Sequence, residues 1–164
     1  MYGKQTERAI GALSRLAEVW DGGKTRLSAV EIADHRGLPR PMVAKILTTL
    51  SQAHLVVGSP GPGGGYALAR PPVQITLQEV HDLFEREDRT HNCPFGGGVC
   101  GVGQKCALHD LLVSRQREIR DFLRTTTFEI FRKAVQEDGL VPVDASAQPA
   151  GPRESYRASE RRRK

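Results

Sequence analysis

Residues 27–69 restrict the fold more than any other part of the chain. Ser28-Ala29-Val30-Glu31 has the form of a capping box: the Ser28 hydroxyl accepts from the backbone three residues on, and the glutamate reaches back to the Ser28 N–H. A short helix follows, with Val30, Ile32 and Ala33 apolar, and Gly37 can supply the left-handed residue that ends it. Pro39 and Pro41 stand where a second helix would begin, the place where a missing N–H costs least. Val43, Ile46, Leu47 and Leu50 then share one helical face. Short helix, glycine-containing turn and second helix make a helix-turn-helix, although an ordinary helical hairpin has the same local pattern. The next residues favour the first reading. Residues 54–57 read as a strand, 58–65 as a glycine-rich turn and 66–69 as the returning strand. A hairpin directly after a recognition helix has the position of a wing, and its glycines permit close backbone approach to a DNA phosphate. A nucleotide-phosphate loop is excluded, because no strand–loop–helix with Lys-Ser/Thr is present.

The flanks complete a mainly α expectation with a small β wing: a winged helix-turn-helix plus a long dimerisation helix. Ala9, Ile10, Ala12, Leu13, Leu16, Ala17, Val19 and Trp20 are spaced for an amphipathic helix that stops at Asp21-Gly22-Gly23. Thr76 and Glu79 form a second capping box, opening a helix through Val80, Leu83 and Phe84. From Ala107 to about Val135 the chain reads as one long helix with Leu111, Leu112, Ile119, Phe122, Leu123, Ile130 and Phe131 in a stripe. Pairing with the same helix of a second copy would cover that stripe, and packing on the chain's own first helix is the other solution. The expected divisions are a DNA-binding domain at 1–87, a cysteine loop at 88–109, the dimerisation helix at 110–137 and a disordered basic tail at 138–164.

Charge narrows the partners. The chain of 164 residues carries a net +5, distributed as +4 over residues 1–70, −3 over 71–150 and +4 over 151–164. Clustered positive charge suits a polyanion, and a solvated surface with a basic tail is the plainer alternative. No run of 18 apolar residues exists, which excludes a membrane-spanning helix. The N-terminus lacks the apolar core of a secretion signal, so a cytoplasmic protein is expected. No acid–base constellation accompanies the cysteines, so an enzyme is not expected.

The three cysteines fall within fourteen residues as Cys93-x6-Cys100-x5-Cys106, with His109 three residues further on. An odd number of thiols in a cytosolic chain points to metal or redox chemistry rather than disulfides. Long gaps in a glycine-rich loop favour an iron–sulfur cluster over zinc, whose sites commonly build on Cys-x2-Cys; zinc on three Cys and one His and metal-free redox thiols remain alternatives. Three thiols leave a fourth position. His109 is the local candidate, one helical turn from Cys106, and Glu7, at the start of the first helix, is the distant one.

These residues together resemble the IscR/NsrR-type winged-helix iron–sulfur transcription regulators. The stretch LSAVEIADHRGLPRPMVAKILTTLSQAHLVVGSPGPGGGYALARPPVQITLQEV matches the helix-turn-helix, wing and next helix, and CPFGGGVCGVGQKCALH matches the cysteine loop. The likeness covers residues 1–135 and excludes the tail. It implies a homodimeric repressor that binds a palindromic operator in double-stranded DNA, with an affinity set by a cluster sensing redox state, nitric oxide or cluster supply. It makes Cys93, Cys100 and Cys106 cluster ligands. The fourth ligand is His109 in the IscR pattern and Glu7, reached from the partner subunit, in the NsrR pattern; the expectation here is His109 with [2Fe–2S], and [4Fe–4S] is the alternative. The first Cys gap departs slightly from the IscR pattern. DNA contacts are expected from Ser28, Arg40, Met42, Lys45 and Thr49, with Ser59, Gly63, Gly64, Gly65 and Tyr66 on the wing. Pro39 and Pro41 depart from the small polar residues usual at this helix start, so the resemblance does not carry over an operator sequence.

Overall fold

The computed structural model describes residues 3–85, 95 and 105–140. The first helix, α1 (Lys4–Glu18), is the centre of the packing. Its Ala9, Ala12, Leu13, Leu16 and Ala17 recur at spacings of three and four and are all buried, so one face of the helix is the middle of the core. Against it lie α2 (Ala29–Arg36) and α3 (Arg40–Gln52), the two helices of the expected helix-turn-helix. The capping box at Ser28 is formed as expected, with Glu31 N donating to Ser28 Oγ at 3.1 Å and Ser28 N donating to Glu31 Oε2 at 2.7 Å. Gly37 ends α2 in the left-handed region, at φ 62°. Val43, Ile46, Leu47 and Leu50 of α3 are buried against Ile32 and Ala33 of α2 and the α1 face.

The wing is β1 (Val56–Ser59) paired antiparallel with β2 (Gly65–Leu68), in the register Val56 to Leu68 and Ser59 to Gly65. Compared with the sequence expectation, β1 is shifted two residues toward the C-terminus. Leu50 and Ser51 carbonyls of the last α3 turn accept from Leu55 and His54, which delays the strand. The sheet borrows one more backbone contact: Leu27 and Tyr66 exchange N–H to O bonds of 2.8 and 3.0 Å, so the wing is fastened to the segment leading into α2.

After a 3-10 turn at Pro72–Gln74, α4 (Leu77–Phe84) opens with its own capping box at Thr76 and Glu79. The chain is described again from Lys105, and α5 (His109–Thr125) is followed by α6 (Glu129–Gln136). The single long helix expected from Ala107 to about Val135 is therefore two. The break has a tertiary cause. Leu77 N donates to Thr126 O at 3.0 Å and Phe128 N donates to Ile75 O at 2.9 Å, so residues 126–128 form an antiparallel bridge with residues 75–77 instead of continuing the helical ladder. Phe128 is thereby driven fully into the core, its ring 5.6 Å from that of Phe131. Helix α6 turns back along α1, and the Gln136 side chain donates to the Glu18 and Trp20 carbonyls at 2.9 and 3.0 Å. Residues 138–140 close α6, with Gly139 left-handed and Leu140 N donating to Ala134 O, and so do not belong to the tail. The rest of the expected tail lies outside the described residues. Among the described residues no helix is long and apolar enough to cross a membrane.

Candidate functional site

The outward face of α3 is set by what its inward face buries. At 100° per residue, Val43, Ile46, Leu47 and Leu50 fix one side of the helix. The opposite side carries Pro41, Ala44, Lys45, Thr48 and Gln52, all exposed. Two residues expected to reach outward do not lie on that line. Met42 is half-buried against the core, and it borders with Thr49 a groove of about 240 Å³ closed by Gln5, Ile46, Leu83 and Phe84. They sit on the flank of α3 that faces α1 and α4, because each lies about 100° round from Pro41 or Thr48. Lys45 also touches this groove while remaining exposed. Arg40 is exposed, and its guanidinium makes a two-pronged pair with Asp34, Nε to Oδ1 at 2.9 Å and the second nitrogen to Oδ2 at 2.7 Å. That hydrogen bond holds the Asp34 carboxyl below its ordinary value. Ala44, Thr48 and Gln52 were missed from sequence; a helical wheel centred on the buried residues would have found them.

On the wing, Ser59 is exposed, whereas the glycines have reasons internal to the fold. A Cβ at Gly64 would stand 2.2 Å from the Ser59 carbonyl oxygen, and one at Gly65 would stand 2.8 Å from that of Leu27. The close approach read from sequence is thus, at these two positions, to the chain's own backbone. Gly63, at φ 75° with nothing within 4 Å, serves the turn itself. Tyr66 is half-buried at the core margin, and its ring lies across Gly58, where an added Cβ would meet Cε1 at 3.2 Å. Ser28 Oγ accepts from Glu31 N in the α2 cap, and its hydroxyl also hydrogen-bonds the Glu31 carboxylate.

Of the candidate metal ligands, Cys93 and Cys100 lie outside the described residues. Cys106 is a half-buried free thiol just ahead of α5, and its carbonyl accepts from His109 N at 3.0 Å. The two residues are joined by one tight turn that ends in the first residue of α5. Lys105 and Asp110 pair across this turn at 2.9 Å, which lowers the Asp110 carboxyl. Glu7 is exposed in the first turn of α1. Among the described residues no three His, Cys, Asp or Glu side chains come together to hold a metal ion. The donor set of the sequence, three thiols and an imidazole, nonetheless fits a cluster chemically.

Contacts at its two ends fasten α1, one end to the last residue described after α4 and the other to the helix-turn-helix. The N-cap of α1 is Gly3, which has no side chain to cap with. Glu85, the last described residue before the cysteine segment, supplies the missing acceptor: Gly3 N donates to its Oε1 at 2.5 Å, and the fully buried Thr6 hydroxyl donates to the same oxygen. At the other end of α1 the buried Glu18 accepts from Arg36 of α2 at 2.5 Å and from Arg15 at 3.1 Å. Arg36 further donates to Gly11 O and Ser14 Oγ. The Glu85 carboxylate lies at the positive end of the helix dipole, and both ends of α1 are held by charge-assisted bonds.

Comparison with known proteins agrees with this architecture. Residues 2–133 match the Rrf2 family, described as iron-dependent transcriptional regulators. The HTH-type transcriptional regulator IscR of Cereibacter sphaeroides is 29% identical over 137 residues, covering 82% of this chain and 88% of that protein. Among solved structures, T. potens IscR superposes with a TM-score of 0.66 at 21% identity, covering 86% of this chain and 92% of that one. The global cysteine regulator CymR of B. subtilis superposes at 0.68 and 19% identity, covering 82% and 97%. The winged helix-turn-helix, its outward recognition face and the family match over most of the chain lead to one conclusion: the chain belongs to the Rrf2 family and is a DNA-binding transcription regulator.

Proposed function

We propose that the protein is a homodimeric repressor of a palindromic operator, with its affinity set by a [2Fe–2S] cluster on Cys93, Cys100, Cys106 and His109. The observation that supports the reading best is the pair of links carried by α1. Glu85, eight residues before Cys93, caps one end of the helix, and Arg36 of the helix-turn-helix is bound at the other. A change in the cysteine segment has in α1 a rigid element through which to alter the attitude of α2 and α3. Coupling of this kind requires that the two states of the segment interact differently with α1. The cluster, when bound, supplies a redox- and nitric-oxide-reactive group. Cys106 and His109 would contribute a sulfur and an imidazole ligand from one turn at the start of α5. Exposed Leu111, Leu112 and Phe122 on α5 supply an apolar face suited to a second copy. In this reading Ser28, Lys45, Ser59 and the backbone at Gly63 would make phosphate contacts.

Anaerobic visible absorption, with iron and sulfide analysis, tests the reading when run beside Cys106→Ala. Broad visible absorbance lost in the variant, with two irons per chain, is expected. Four irons per chain replace the nuclearity with [4Fe–4S], and Glu7→Ala against His109→Ala then identifies the fourth ligand. A colourless protein after anaerobic reconstitution removes the cluster and leaves zinc or bare thiols, which zinc analysis separates.

A further inference from the structure

We infer that α3 reads its operator chiefly through thymine methyl groups, using an alkyl strip formed by Pro41, Ala44 and Thr48. The inference deepens the DNA-binding reading and rests on it. The strip follows from three observations. First, the exposed residues on the side away from the buried face are Pro41, Ala44, Lys45, Thr48 and Gln52, and the first, second and fourth present only carbon or a committed hydroxyl. The Thr48 hydroxyl donates to the Ala44 carbonyl at 3.0 Å, so its hydrogen is spent within the helix and the methyl is the group left to offer. Second, the one guanidinium on α3, that of Arg40, lies about 100° away from Pro41 around the helix and is held in a two-pronged pair by Asp34. A bidentate arginine contact to guanine would have to break that pair first. Third, Met42 and Thr49 face the flank groove, which removes them from the strip.

A recognition helix offers its N-terminal residues to base edges in the major groove. There the thymine C5-methyl is the group that apolar side chains recognise. A strip with one methyl at Ala44, one at Thr48 and a pyrrolidine ring at Pro41 is complementary to neighbouring thymines. Lys45, beside it, is the cation available for a guanine or a phosphate. The operator half-site is thus expected to be thymine-rich where α3 enters, with guanine flanking.

The test begins with selection of duplexes from a random DNA library by the full-length protein, performed anaerobically with and without added iron. Each thymine in the selected half-site is then replaced by deoxyuridine, which removes the methyl and nothing else. Burial of one methyl predicts about a fourfold loss of affinity at each contacted thymine. Thr48→Ser keeps the hydroxyl bond to Ala44 O and removes the methyl, so it should abolish the deoxyuridine penalty at one thymine and leave the others. Ala44→Gly should do the same at a neighbouring position, with circular dichroism confirming that α3 persists. Uniform indifference to deoxyuridine, or a penalty unchanged in both variants, overturns the inference while leaving operator binding intact. A library that enriches no sequence under either condition overturns the DNA reading beneath it, a result of a different kind.

Discussion

Two glycines one residue apart in the wing differ in why they are glycine. Gly63 needs a left-handed φ of 75° in open space, and Gly64 needs the absence of a side chain, because a Cβ would lie 2.2 Å from Ser59 O and 2.8 Å from Gly61 O. Backbone cannot swing aside as a side chain tip can. Gly63→Ala is therefore expected to cost about 1–2 kcal/mol, the usual penalty for an L-residue in that region. Gly64→Ala should cost more and disorder the hairpin as well, which urea unfolding and amide exchange at residues 56–68 would separate. His54 runs the other way. It holds a φ of 57° at the end of α3 without being glycine. His54→Gly should raise stability by up to about 1 kcal/mol, read from the urea midpoint, since glycine takes the left-handed cap without the Cβ penalty. Sequence alone located the glycine-rich tip correctly. It could not divide the glycines by cause, because the partner atoms of Gly64 and Gly65 come from folding of the hairpin and from Leu27.

At the scale of elements, what was legible was what is local. Both capping boxes and the glycine stop after α2 depend on residues within four positions of one another, the inward face of α3 on residues recurring at steps of one to three, and all are formed. The break between α5 and α6 was not legible, because its cause is a backbone pairing with residues 75–77, some fifty positions away. The outward placing of Met42 and Thr49 failed for a related reason: only the presence of α1 and α4 makes that flank an inside. The cap on α1 is equally non-local and carries a pH signature. Hydrogen bonds from the Thr6 hydroxyl, and then from Gly3 N, hold the Glu85 carboxyl below its ordinary value of 4.5, with the nearby His81 charge acting in the same direction. A group whose folded value is depressed contributes stability above its unfolded value and loses it as pH falls through the folded one. Glu85→Gln should thus destabilise most at neutral pH, by about 1 kcal/mol as for other lost caps, and the gap to the wild type should close below pH 4.5. Urea midpoints of the metal-free protein measured across that range check both the size and the sign.

For the whole molecule, one core spans elements that the sequence had divided between two functions. Leu123 and Phe128, within the stretch assigned to dimerisation, are buried in the same cluster as Leu13, Leu47 and Val56. Phe128→Ala should cost about 3–5 kcal/mol and lower a single cooperative melting transition that takes the helix-turn-helix with it. Two separate transitions in calorimetry would contradict a shared core. The exposed part of the α5 stripe makes a different prediction. Leu111 is 66% exposed, so Leu111→Glu should leave the monomer's stability within about 0.5 kcal/mol. The same variant should shift sedimentation from dimer to monomer and weaken operator binding with it.

The fastening of α1 also bears on the order in which the chain can mature. The acceptor for the N–H of its N-cap Gly3 is 82 residues downstream, and the donor to the Glu18 and Trp20 carbonyls, at its last residue and just beyond, is 118 and 116 residues downstream. On a ribosome, α1 would emerge before either of these partners, and would gain its second closure only after Gln136 had left the exit tunnel. A nascent chain stalled anywhere before residue 136 thus holds a helix-turn-helix sequence without the finished support on which it stands.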